Sequence, residues 1–190
     1  MRLLQEVYNQ SAVQLAPFLL GKTLCRRING DKSSDADMRY NDANSDITDE
    51  IIRLRITETE AYAGERDTAC HAHKGKTSRT AVMYEPGGIA YIYLCYGIHN
   101  LLNVVAGKTN QPEAVLIRGL EGISGPGRLT KALQIDRTLN KESFITSDTL
   151  WLEEGEALPY STTPRIGIGY ASEEDQARLW RFVAELPSSH

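Results

Sequence analysis

The chain has 190 residues, 41% of them apolar, a formal net charge of −4 and three cysteines. That length is enough for one domain that buries roughly 70% of its unfolded surface. Cys25, Cys70 and Cys95 are odd in number and include no Cys-x-x-Cys, which argues against a disulfide framework or a zinc ribbon and for a reducing cytoplasm. Met1–Gln10 lacks a basic segment followed by an apolar run, and no long apolar stretch occurs anywhere, so neither a signal peptide nor a membrane span is expected.

Ala12–Leu20 repeats apolar residues at helical spacing between Ser11 and Gly21, which predicts a short helix covering a sheet. Thr23–Ile28 and Ile51–Tyr62 read as two strands pairing antiparallel. Between them, Asp31–Glu50 sets seven acids against Lys32 and Arg39, a local charge of −5 that leaves +1 for the rest. Rich in Ser, Asn and Asp, this segment reads as a long flexible inserted loop with no part in nucleic-acid binding. The mildly acidic total itself argues against a nucleic-acid partner, but the position of the charges matters more.

Gly64–Arg79 has no apolar period and carries Arg66, His71, His73, Lys74, Lys76 and Arg79, so it reads as a basic connector. After the turn Pro86-Gly87-Gly88, the β-rich runs Ile89–Cys95 and Leu101–Ala106 flank Tyr96–Asn100, which predicts a hairpin with a tyrosine at its tip. Ala114–Leu120 is a further strand. Ser124–Leu133 looks like a helix start with Pro126 in its first turn, where free N–H groups beside Arg128 and Lys131 can receive a phosphate. Trp151-Leu152 and Arg165–Gly169 resemble late strands, and Glu173–Leu186 contains a helix-like tail. The expected fold is α+β: a single domain over residues 1–190, with a curved, mostly antiparallel sheet, a protruding β-hairpin and covering helices.

Strict alternation along Arg53–Tyr62 places Leu54, Ile56, Glu58, Glu60 and Tyr62 on one face, so both glutamates continue the apolar side. A carboxylate where a core residue is expected costs several kcal/mol unless paired, and such groups are often kept for chemistry. The alternative is that the strand ends near Thr57 and both glutamates are solvated. Asn103 interrupts the run Leu101–Val105, and a buried amide there must find partners or staple the sheet.

Glu58-Thr59-Glu60-Ala61-Tyr62, His71, Pro86-Gly87-Gly88, the run Tyr91–Gly97, Asn103 and Val115-Leu116-Ile117-Arg118 occur in one order and spacing. In this the chain resembles the alkyladenine (3-methyladenine) DNA glycosylases, from about Leu15 to Gly169. After Arg181-Phe182 it departs from the family's Gly-Asn-Pro-like continuation.

The resemblance implies a monofunctional DNA glycosylase of base excision repair, which flips alkylated or deaminated purines (3-methyladenine, 7-methylguanine, hypoxanthine) out of duplex DNA and hydrolyses the N-glycosidic bond. It places Glu60 as the general base that activates water, with Arg118 near the water and the target phosphate. Glu58 is the second candidate, and a structural carboxylate bonded to backbone or arginine is the reading preferred for it. Tyr62, His71, Tyr93 and Asn103 match the pocket for the flipped base, and Tyr96 matches the residue that fills the gap in the duplex. Lys74, Lys76, Arg79, Arg128 and Lys131 are candidate backbone contacts, or ordinary surface cations. Double-stranded DNA carrying damaged purines is the expected partner of a monomeric, cofactor-free enzyme. Two alternatives remain: a metal-dependent hydrolase using His71 and His73, and a non-catalytic nucleic-acid-binding module. Two ligands one residue apart, with no third His or Cys at zinc spacing, leave no metal expected.

Overall fold

The computed structural model describes residues 1–28 and 50–186. All but the last residue of the acidic segment Asp31–Glu50 lies outside them. Within them no helix is long and apolar enough to cross a membrane. The mixed, sheet-rich architecture is the α+β fold expected.

Two short helices, α1 (Gln5–Tyr8) and α2 (Ala12–Phe18), precede strand β1 (Thr23–Ile28) and the long strand β2 (Glu50–Tyr62). At the start of α2 the Ser11 N–H donates to Gln14 Oε1 at 3.3 Å, and the chain leaves it through Gly21 at φ 85°. β3 (Ala90–Cys95) and β4 (His99–Ala106) form the hairpin, followed by β5 (Glu113–Leu120), the two-residue β6 (Ile123–Ser124) and α3 (Pro126–Ala132). β7 (Leu150–Glu153), β8 (Tyr160–Thr163), α4 (Glu173–Ala177) and β9 (Arg181–Ala184) complete the order. Every described strand pairing is antiparallel, in the sequence β3-β4-β5-β2-β1-β7, with β9 joining the inner half of β2 and β8 pairing with β9.

One face of the sheet makes the core. Ile92, Leu102, Val104, Val115 and Ile117 pack there with Leu15, Ala16 and Leu19 from α2 and its end. A Leu so enclosed contributes roughly 1.5–3 kcal/mol relative to exposure. The intervening residues of the same strands, Tyr91, Tyr93, Leu101, Asn103, Leu116 and Arg118, turn to the opposite face and line a recess and a cleft. The period of two thus sorts core from site.

Four expectations need correction. The glutamates do not continue the apolar face of β2. Pairing of β2 with β5 is irregular between Ile56 and Thr59, and the two offsets cancel, so Ile56↔Leu120 and Thr59↔Ile117 keep one register across three steps on each strand. Three steps invert the alternation on both strands together. Ile56 is in the core, then Ala61 is, and the Thr59 hydroxyl donates to the Ala16 carbonyl at 2.9 Å, while Glu58 and Glu60 turn to the site. Gly119 permits this, because a Cβ there would stand 2.9 Å from Glu58 Cβ and 3.1 Å from Thr57 Oγ1.

Secondly, Arg165–Gly169 is not a strand but an irregular loop, in which the Ile166 N–H donates to the Glu60 carboxylate rather than along a ladder. Thirdly, the tail after Glu173 is helical only to Ala177 and then becomes β9. Lastly, the hairpin loop is tighter than expected. His99 and Asn100 belong to β4, Cys95 pairs with His99, and the Ile98 N–H donates to the Cys95 carbonyl at 3.0 Å. Tyr96 and Gly97 in that turn both have positive φ, 48° and 72°, as in the mirror-image turns that suit hairpin twist.

Candidate active site

Glu60 is fully buried. Its Oε1 accepts the Ile166 backbone N–H at 2.8 Å, and its Oε2 accepts the Tyr62 hydroxyl at 2.8 Å. The Arg118 Nη1 stands 3.4 Å from Oε1. Burial raises the Glu60 carboxyl above its ordinary range, and Arg118, the Ile166 N–H and the Tyr62 hydroxyl pull it back down. Tyr62 is itself held well above the usual phenol range, by burial first and by Glu60 second, so it remains a hydroxyl donor at neutral pH.

Glu58, two residues earlier on the same side, accepts Arg118 Nε at 2.9 Å and Arg181 Nε at 2.6 Å. This matches its reading as a carboxylate bonded to arginine. The Ile166 N–H depends on its neighbour Arg165, which is buried and bonds both Asp67 oxygens at 2.6 and 2.9 Å and the Ala61 carbonyl at 2.9 Å. The Arg165 guanidinium lies 4.9 Å from the centre of the Tyr62 ring and 5.1 Å from that of Trp180.

An aromatic wall adjoins this cluster. The His71 and Tyr93 rings meet edge to face at 4.5 Å, and Tyr91 and Tyr93 lie 5.5 Å apart. His71 Nδ1 and the Tyr91 hydroxyl are hydrogen-bonded at 2.9 Å. Burial, then the charge of Arg79, pushes the imidazole down to about 4, so at neutral pH the ring is uncharged and offers one donor and one acceptor. The buried Asn103 amide donates to the Tyr91 carbonyl at 3.1 Å. Tyr62, His71, Tyr93, Asn103 and Tyr170 all line a recess with about 30 Å³ of free space, and all of these but Asn103 also line a cleft of about 830 Å³. The recess has room for water, and the cleft has room for a nucleoside.

Tyr96 is 88% exposed at the hairpin tip and borders the cleft. Of the candidate backbone cations, Arg79 and Arg128 also line the cleft; Lys74, Lys76 and Lys131 are exposed but stand away from its lining. His71 and His73 are bonded to different partners, Tyr91 and the Glu65 carbonyl. No group of three or more His, Cys, Asp or Glu among the described residues could hold a metal ion.

Sequence reasoning missed Tyr91, Arg165, Ile166, Tyr170 and Arg181. Tyr91 lies in the quoted tyrosine run, where alternation with Tyr93 could have found it. The other four follow residue 160, and a backbone N–H or a cross-strand arginine leaves no local signal.

The buried carboxylate and its donors thus adjoin an aromatic cleft, an arrangement that can receive a flat ring beside a charged carboxylate. A family model described as Methylpurine-DNA glycosylase (MPG) matches residues 44–125 and 122–187. Three similar proteins carry the name "Putative 3-methyladenine DNA glycosylase". That of Psychrobacter cryohalolentis is 41% identical over 92% of this chain and 88% of its own. Those of Borreliella burgdorferi and Methanocella arvoryzae are 43% and 39% identical, over 91% and 94% of this chain and 90% of each relative. The chain belongs to the methylpurine-DNA glycosylase family. It is therefore a DNA-repair enzyme, a hydrolase acting on N-glycosyl bonds.

Proposed function

We propose that this enzyme flips 3-methyladenine, 7-methylguanine or hypoxanthine out of double-stranded DNA and hydrolyses its N-glycosidic bond with a water activated by Glu60. The observation that carries the reading is the Glu60 carboxylate, wholly buried yet hydrogen-bonded and paired, beside an aromatic cleft. In the reaction the water oxygen bonds to the anomeric carbon, its proton passes to Glu60, and the C–N electron pair leaves with the purine. The Glu60 charge also opposes the positive charge growing on the sugar, and Arg118 holds the carboxylate in place.

Tyr62, His71, Tyr93 and Asn103 receive the base, the rings by stacking and His71 and Asn103 by hydrogen bonds to its edge. Tyr96 fills the vacated stack. A bulky residue at positive φ, almost fully exposed, carries strain of the kind stored at functional sites. Arg79 and Arg128 at the cleft, with Lys74, Lys76 and Lys131 further out, contact the DNA backbone. The relatives' names, which refer to 3-methyladenine, support the substrate class. The whole of residues 1–190 acts as one monomeric domain, and the free Cys25, Cys70 and Cys95 fit a reducing cytoplasm.

Single-turnover base release from lesion-bearing duplexes tests this. Glu60→Gln is expected to slow release by about 10³-fold or more, because an amide neither takes the proton nor offsets the sugar's charge. The cationic 7-methylguanine should be released at a rate that rises with pH to a plateau as Glu60 ionises; hypoxanthine, which needs a proton to leave, should show a bell. Near-parental rates in Glu60→Gln would remove the base assignment.

A further inference from the structure

Glu58 and Arg181 take no part in the reaction outlined above, yet both belong to the charged cluster that holds Glu60. Two guanidiniums converge on one oxygen, Glu58 Oε1, with Arg118 Nε at 2.9 Å and Arg181 Nε at 2.6 Å. Arg118 reaches Glu60 only with its remaining edge, at 3.4 Å. Its bond to Glu58 is therefore the closer one. The four side chains are between 0% and 22% exposed, so a change at one is poorly screened from the others.

The fold brings the four together from three strands. The inverted segment of β2 turns Glu58 and Glu60 to the same side, β5 supplies Arg118, and β9 sets Arg181 opposite Glu60 in the ladder. Thr163 steadies Arg181 through a 3.0 Å bond to Nη1. Other groups also face Glu60: the Tyr62 hydroxyl on its own strand, Tyr93 from β3, and the Ile166 N–H and Arg165 from the loop after β8. Arg165 is matched by Asp67. Among the described residues, Arg118 alone pairs with both carboxylates.

We propose that Glu58 and Arg181 are a positioning pair that apportions Arg118 between Glu58 and Glu60, and so sets the pH at which Glu60 becomes an effective base. This rests on the reading of Glu60 as the base. It has a consequence that simple loss of structure does not share, because the two residues act with opposite sign. Removing the Glu58 charge frees Arg118 for Glu60 and takes away a neighbouring negative charge, both of which favour the Glu60 carboxylate. Removing Arg181 leaves Glu58 to draw Arg118 away and takes away a positive charge, both of which disfavour it.

The test is the pH dependence of single-turnover 7-methylguanine release from duplex DNA. Glu58→Gln is expected to move the midpoint of the rise down by about half a pH unit or more, and Arg181→Met to move it up by a similar amount. Arg181→Lys should restore the parental midpoint. Should Glu58→Gln fail to give a cooperative melt, the two Arg181 variants carry the same decision. Midpoints that do not move, or that move in the same direction, overturn the proposal. Glu60→Gln separates it from the reading beneath: a pH-dependent rise surviving that change removes the base assignment, whereas its loss with unmoved midpoints elsewhere removes only the positioning pair.

Discussion

Strand β2 contains two halves built from the same residue types with different consequences. In the outer half, Arg55 makes a two-pronged contact with Glu121, at 3.0 and 2.8 Å, with both side chains over 40% exposed. In the inner half, Arg118 stands 3.4 Å from Glu60, a longer contact, but one partner is wholly buried. By bond geometry the outer pair is better. Water nevertheless solvates and screens it whether or not it forms, so it has little effect on the fold. The inner cluster has no such substitute, and each charge there depends on the others. Depth, rather than contact length, decides which ion pairs matter.

The largest effect should come from stripping the partner off a buried charge that packs beside the inner half, Arg165, which donates to the Ala61 carbonyl. Asp67→Ala leaves the Arg165 guanidinium buried without its carboxylate, and urea denaturation should show a loss of about 3–5 kcal/mol. A loss no greater than that of a surface variant would break the contrast. Next in size, Gly119→Ala should destabilise by roughly 1–3 kcal/mol through crowding of Glu58. The same variant should lower the rate of base release, because Glu58 must move and Arg118 with it. An unchanged melt and rate would mean that the inverted segment has room to spare.

A smaller effect of opposite sign is expected at Glu60 itself. A carboxyl raised by burial binds a proton more readily folded than unfolded, so its ionised form works against folding at neutral pH. Glu60→Gln should therefore raise Tm at pH 7 while activity is lost, and the gain should fade as pH falls through the raised value towards the ordinary 4.5. A gain that grows on acidification would reverse the sign and refute the argument. His71 supplies a second pH-dependent contribution. Its ring is depressed to about 4, so the unfolded chain takes up the proton first, and stability should fall as pH drops from 6.5 towards 4. A His71→Gln variant should show less of that acid loss. The smallest effect is reserved for the outer half, where Arg55→Ala should leave Tm unchanged.

Much of this molecule was legible in short stretches of sequence. The helix from Ala12, the strand Thr23–Ile28, the Tyr96 hairpin tip and the start of the helix at Pro126 follow from apolar period, turn residues and proline position, all properties of a few neighbouring residues. The family resemblance reached Glu60, Tyr62, His71, Tyr93, Asn103 and Arg118, which the fold does gather around one cleft and recess. Tertiary structure alone decided the rest. The inverted alternation at Thr57-Glu58 requires a matching irregularity on β5 and a residue without Cβ at Gly119, neither visible from β2. The Ile166 N–H reaches Glu60 across 106 residues, and Arg181 reaches Glu58 across 123. A backbone donor has no side-chain identity to mark it, and an arginine's partner is set by strand register over that separation. Alternation along one strand therefore predicted its regular part and failed at Glu58 and Glu60, where pairing with β5 and β9 overrides the local pattern.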